Sequence, residues 1–143
     1  PKFLEIELTE SIFMKNLERS IKALKVLRGL GVSISIDDFG TGYSSLSYLK
    51  YFPISKVKIV EPFISTLAFH PTDEVIARAI IALAHSLKMK VIAEGVEQRD
   101  QISLLRSLKC DEVQGNVISH PLTPEDVVKF LSGEKKLKHT FLK

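Results

Sequence analysis

The chain is poor in the residues that stabilise a protein by means other than a core. Of its 143 residues one is cysteine, Cys110, and none is tryptophan. A lone thiol excludes an internal disulfide framework and suits a reducing, cytosolic compartment. His70, His85, His120 and His139 lack ligand-like spacing, which removes a zinc-type cluster. His85 reads as a packing or surface residue, and Cys110 as a plain core residue. No apolar run approaches the ~18 residues of a membrane span, and the opening PKFLEIELTE has no signal-peptide pattern. Direct membrane contact is therefore not expected, although a membrane-tethered parent is compatible. An excess of one charge is also missing. Twenty Lys and Arg face 17 Asp and Glu, and the net +3 is carried by the final EKKLKHTFLK, with four Lys against one Glu. A neutral body has no basic face for a nucleic-acid polymer. The tail, 134–143, reads as a solvated end or linker beyond a domain at 1–133.

What remains is ordinary globular composition, 45% hydrophobic with mean hydropathy +0.11. A domain of this length can bury a sufficient core. One unit repeats five times along it. FLEIELTE (3–10), VSISIDDF (32–39), KVKIV (56–60), KVIAEGVE (90–97) and DEVQGNVIS (111–119) read as strands. Helical spacing follows in Leu17, Ile21, Leu24 and Leu27. It recurs around 46–51, over 73–89 with Val75, Ile76, Ala79, Ile80, Leu83 and Leu87 on one face, over 98–108, and over PEDVVKFL behind Thr123-Pro124. Alternating strands and helices with short connections predict an α/β fold on a parallel sheet with right-handed crossovers.

Polar parity chooses between an open sheet and a barrel. Side chains alternate along a strand, so Glu5 and Glu7 share a face opposite Leu4, Ile6 and Leu8. Ser33, Ser35 and Asp37 likewise oppose Val32, Ile34 and Ile36. Lys58, Glu94 and Gln114 take the corresponding places in the last three strands. A sheet covered on both faces by helices would read as near-continuous apolar runs. A barrel with its active site at the C-terminal mouth calls for polar strand ends. Five units are too few for a (β/α)8 barrel, which takes at least ~200 residues. The expectation is a partial barrel, the C-terminal part of one. Three acids, a lysine and an amide at one mouth suit a hard divalent cation. The adjacent Asp37 and Asp38 sharpen that reading, since paired ions can clamp a phosphodiester. Tyr43 and Tyr48 read as packing, and the GTG glycines alone are a weak signal.

EIELTES (5–11), IDDFGTGYSSLSYLK (36–50), VKI (57–59), AEGVE (93–97), DEVQG (111–115) and Pro121-Leu122 resemble the EAL domain family. These are cyclic di-GMP phosphodiesterases with a (β/α)8 fold, and the likeness runs from Phe3 to about Leu131. It implies hydrolysis of cyclic di-GMP to pGpG with two Mg²⁺ or Mn²⁺ ions. By motif, Glu7, Asp37, Asp38 and Glu94 are implied metal ligands, with Asp37 bridging. Lys58, Glu94 and Gln114 are implied to act on water and substrate. Glu10 and Glu97 are implied to support the substrate loops. The chain departs from the family where K-I-D becomes Lys58-Ile59-Val60, where Gly115 is followed by Asn116, and at Pro62. The signature that names the family and the metal-ligating Asn after it are both missing. The isolated piece is expected to be inactive and to self-associate through its open side. The alternative is a degenerate domain that binds cyclic di-GMP or a protein partner without cleaving.

Overall fold

The computed structural model describes residues 1–9, 16–40, 49–67 and 69–133. Glu10, Tyr43, Tyr48 and the basic tail lie outside the described residues. Five strands, β1 (Glu5–Thr9), β2 (Ser33–Phe39), β3 (Lys56–Ile59), β4 (Lys90–Ala93) and β5 (Glu112–Val113), form one sheet in chain order, every pair parallel. The helices between them are α1 (Leu17–Gly29), α2 (Glu61–Ser65), α3 (Pro71–Ser86) and α4 (Arg99–Ser107), and α5 (Pro124–Leu131) follows β5.

Two differences from the sequence reading have local causes. The spans expected at 90–97 and 111–119 end early as strands, at Ala93 and Val113, because Gly95 (φ +67°) and the turn after Gly115 leave extended geometry. A short helix, α2, follows β3 directly, with Pro62 inside its first turn. Proline there loses no intrahelical bond, so Pro62 is compatible with a helix that starts directly after β3.

The crossover helices end alike. Gly31, Lys88 and Lys109 take positive φ after α1, α3 and α4. That left-handed step turns the chain back into the next strand, as the Met89 N–H to Ala84 O and Cys110 N–H to Leu105 O bonds record, both 2.9 Å. On α3 the buried stripe is Ala77, Ile80, Ile81 and Ala84. This is rotated from the expected face, leaving Val75 64% exposed. Small Ala77 and Ala84 allow close approach to the sheet.

One face of the sheet makes the core with the helices. Ile34, Val57, Ile59, Val91 and Ala93 are at most 1% exposed. Each aliphatic side chain larger than alanine contributes roughly 1.5–3 kcal/mol by leaving water. The opposite face carries Glu5, Glu7, Ser35, Lys56, Lys58 and Glu94. None of the helices among the described residues is long and apolar enough to cross a membrane.

Candidate active site

The site begins with a fault in β2. Ile36 pairs with Val57 and Phe39 with Ile59, so three steps on β2 match two on β3. This is the count of a β-bulge, a device that re-aims side chains beside functional sites. Asp38, at φ +56°, is a residue of the irregular stretch. The shift returns Phe39 to the core, 4% exposed, while Asp37 keeps the polar face and Asp38 is exposed at the rim. Two neighbouring acids thereby reach one end of the sheet without placing Phe39 in the polar interior. The Asp38 N–H donates to Asp37 Oδ1 at 3.1 Å and helps orient that carboxylate.

Lys58 is the centre of the polar face. Its Nζ lies 2.7 Å from Glu7 Oε2, 2.8 Å from Glu94 Oε1 and 3.4 Å from Asp37 Oδ1, with the lysine side chain only 5% exposed. Burial alone would favour a neutral amine. The hydrogen bonds and charges of Glu7 and Glu94 outweigh it and hold the ammonium well above its ordinary range. Ser35, fully buried, is paired in register with Glu7 on one side and Lys56 on the other. Its small side chain suits a place between strands whose long side chains meet. Ser35 Oγ has no hydrogen-bond partner among the described residues.

A second ionic group lies two residues back along the strands. Lys56 Nζ is 3.0 Å from Glu5 Oε2 and 2.9 Å from Glu112 Oε2, and Lys90 approaches Glu112 at 3.6 Å. Burial opposes the Lys56 charge, but the two carboxylates overcome it and raise its pKa. The polar face is thus lined by alternating charges in two layers.

Four of the expected mouth residues, Glu7, Asp37, Lys58 and Glu94, come together. Gln114 makes no side-chain hydrogen bond to them among the described residues. It is exposed, and its contribution is through the backbone, with Gln114 N–H to Ala93 O at 2.8 Å and Val96 N–H to Gln114 O at 3.0 Å. Glu97 is exposed on the β4 to α4 loop. Val60, 5% exposed, follows the paired residue Ile59, while Glu94 follows its partner Ala93. An isopropyl group therefore stands beside the acid cluster where the resemblance leads one to expect a carboxylate.

Sequence reasoning missed how the rim is closed. Glu61, the first residue of α2, lies over Gly95, where an added Cβ would meet Glu61 Cγ at 2.3 Å and Cβ at 2.7 Å. Gly115 similarly lies against the Val96 backbone, with a Cβ position 2.2 Å from its carbonyl oxygen. Gln101, 2% exposed, is a third missed residue. Its place three residues after Gln98 at a helix start was the available signal. His85 is at the surface, 2.8 Å from Asp111 Oδ2, and that oxygen also accepts the Val91 N–H at 2.9 Å.

The carboxylates around Lys58 are the hard oxygen donors that Mg²⁺ or Mn²⁺ takes, so the residue types fit such an ion. Among the described residues no group of three His, Cys, Asp or Glu is placed to hold a metal by itself. The acids are arranged around the ammonium. Carboxylates and a lysine at the C-terminal ends of parallel strands form the arrangement from which barrel enzymes build their sites.

A family model for the EAL domain matches residues 1–121. The chain belongs to the EAL domain family. The signaling protein YkoW of Bacillus subtilis (strain 168) is 52% identical over 131 residues, which are 92% of this chain and 16% of that protein. The structure of the PaMucR phosphodiesterase in complex with c-di-GMP is 45% identical with a TM-score of 0.84, over 89% of this chain and 51% of that one. The manganese and c-di-GMP complex of BlrP1 from Klebsiella pneumoniae, at pH 9.0, is 33% identical with a TM-score of 0.77, over 85% of this chain and 31% of that one. This EAL chain spans about half of the solved phosphodiesterase and a much smaller share of YkoW. Its five parallel strands and their helices match part of EAL barrel structures.

Proposed function

We propose that this chain is the C-terminal portion, residues 1–133, of a metal-dependent phosphodiesterase domain that hydrolyses cyclic di-GMP to pGpG in the cytosol. The observation that carries the reading is the Lys58 ammonium held by Glu7, Asp37 and Glu94 at the C-terminal ends of their strands. Glu7, Asp37, Asp38 and Glu94 would hold two Mg²⁺ or Mn²⁺ ions, which when bound supply positive charge to the phosphodiester and make hydroxide accessible at neutral pH. Lys58, firmly protonated, neutralises charge at the reacting phosphate and donates hydrogen bonds to an attacking oxygen. Glu94 accepts a proton through its carboxylate. Gln114, at the open rim, orients water or substrate, while Glu10 and Glu97 support the loops on either side.

Val60 favours a second reading, a domain that binds cyclic di-GMP or a protein partner without cleaving it. A buried isopropyl group beside Glu94 offers neither a metal ligand nor an acceptor for water. The deciding experiment is Mn²⁺-dependent hydrolysis of labelled cyclic di-GMP by the longest natural chain containing these residues, beside its Val60→Asp variant. Cleavage by both supports the enzyme. Binding without cleavage, rescued by Val60→Asp, supports the receptor, and binding by neither defeats the enzyme and the nucleotide receptor and leaves the protein-interaction module. The 143-residue piece alone should show no turnover.

The sheet edges support self-association. Phe3 is 94% exposed and Leu4 53% exposed beside β1, and Val128 and Leu131 on α5 are 67% and 77% exposed. Unpaired strand edges and apolar faces favour pairing with another chain. Light scattering at micromolar concentration is expected to report a dimer or larger species, and a stable monomer would refute this part of the reading.

A further inference from the structure

The loop from Glu94 to Gln98 carries one arm of the Lys58 cluster, and its hydrogen bonds have a specific anchor. Gln101, in the first turn of α4, is almost wholly buried. Its Oε1 accepts the N–H groups of Glu97 and Gln98, both at 2.9 Å, and its Nε2 donates to the Ile64 carbonyl at 2.8 Å. Ile64 belongs to α2, which begins three residues after Lys58. The carboxamide thus joins the loop that follows Glu94 to the helix that follows Lys58. Two close approaches tighten the same junction. Gly95 lies against Glu61 at the start of α2, and Gly115 lies against Val96. The Val96 amide and carbonyl bond to Gln114 O and Val117 N on the other side.

We propose that Gln101 is a positioning residue that ties the β4 to α4 loop to α2 and thereby sets the separation at which Glu94 faces Lys58. The role rests on the reading of that pair as part of the reaction site. The chemistry explains why the side chain is glutamine. One amide oxygen has lone pairs for two N–H donors, and the amide nitrogen has a proton for a carbonyl. Ionised glutamate keeps the acceptors but has nothing to donate to Ile64. Methionine keeps the approximate volume but leaves the Glu97 and Gln98 N–H groups without their acceptor and the Ile64 carbonyl with backbone donors alone.

The test uses amide exchange and the Lys58 ammonium signal in nuclear magnetic resonance spectra of the full 143-residue chain at pH 7. Gln101→Met is expected to lower protection of the Glu97 and Gln98 amides at least tenfold relative to Ile59 and Val91 in the sheet, and to broaden the Lys58 Nζ–H signal. Gln101→Glu is expected to keep protection at Glu97 and Gln98 while still broadening the Lys58 signal, because only the bond to Ile64 is lost. An unchanged Lys58 signal in both variants overturns the proposal. So does a uniform loss of protection through the sheet, which would make Gln101 a support of the fold alone. Calorimetry of the longest natural chain with Mn²⁺ and cyclic di-GMP tests the site reading separately. If that unmutated chain binds neither, the nucleotide reading fails while the exchange result still decides whether Gln101 spaces the pair.

Discussion

Lys58 and Glu94 meet at 2.8 Å from the ends of neighbouring strands, although Lys58 itself pairs in register with Ile92. The contact is diagonal, and the lysine side chain reaches towards the rim while still touching Glu7. Removing the ammonium leaves several acids facing one another. Lys58→Met is therefore expected to lose about 1–3 kcal/mol at pH 7 in urea denaturation, toward the low end for a buried pair because Glu7 is half exposed. Because the folded pKa is raised, the lysine's contribution is complete below its unfolded value of about 10.4 and is lost as pH rises through the higher folded value. A deficit that does not vary with pH would show that charge is not its origin.

Gly95→Ala tests the closure of the rim. The new methyl group would meet Glu61 at 2.3 Å, on a backbone at φ +67°. The expected loss is about 2–4 kcal/mol, combining overpacking with a left-handed conformation. Adding Glu61→Gly should recover the steric part and leave the backbone part, a non-additivity that thermal denaturation of the four proteins in the cycle can measure.

The Asp111 carboxylate gives a prediction for acid. Burial pushes its pKa up, but hydrogen bonds from His85 and the Val91 N–H and the nearby charges bring it below its ordinary range. A lowered folded pKa means stability present above the unfolded value of about 3.9 and lost as pH falls through the folded one. Asp111→Asn should therefore lower stability by about 0.5–1.5 kcal/mol at pH 7 and flatten the decline seen in the unmodified chain between pH 5 and pH 2. Denaturation midpoints across that range would check it, and parallel curves would count against the assignment.

Cys110 should react slowly. Its thiol is half buried, with Sγ 3.3 Å from Glu112 O, and burial pushes its pKa up to about 11. Alkylation at pH 8 is expected about a hundredfold slower than for a free cysteine peptide, because the thiolate is the nucleophile. Comparable rates would show that the sheet opens readily at β5.

Strand identity and the parity of Glu7, Asp37, Lys58 and Glu94 were legible because a polar side chain every second residue has no other simple reading. The lengths of β4 and β5 were not. KVIAEGVE and DEVQGNVIS keep strand-like residues past the point where Gly95 and the turn after Gly115 redirect the backbone. The α3 face was misread because alanines at 77 and 84 fit the closest contacts better than the larger Val75. Gln114 falls just past the end of β5, and backbone bonds to Ala93 and Val96 tie it to the loop that carries Glu94. Gln101 was hidden for another reason. A polar residue on an amphipathic helix ordinarily faces solvent; its spacing from Gln98 signals a helix start, while its bonds to the Glu97 N–H and the Ile64 carbonyl emerge only from the three-dimensional loop.

The irregular pairing of β2 also limits how this site can vary. Swapping one aspartate for another residue alters chemistry alone, but deleting Asp38 would let two steps on β2 match two on β3, leaving the Phe39 ring on the core side and the rim with one acid in place of two. Length at this point of the chain therefore sets how many carboxylates the rim can offer: a sequence lacking the inserted residue keeps its aromatic anchor and forfeits the neighbouring acid.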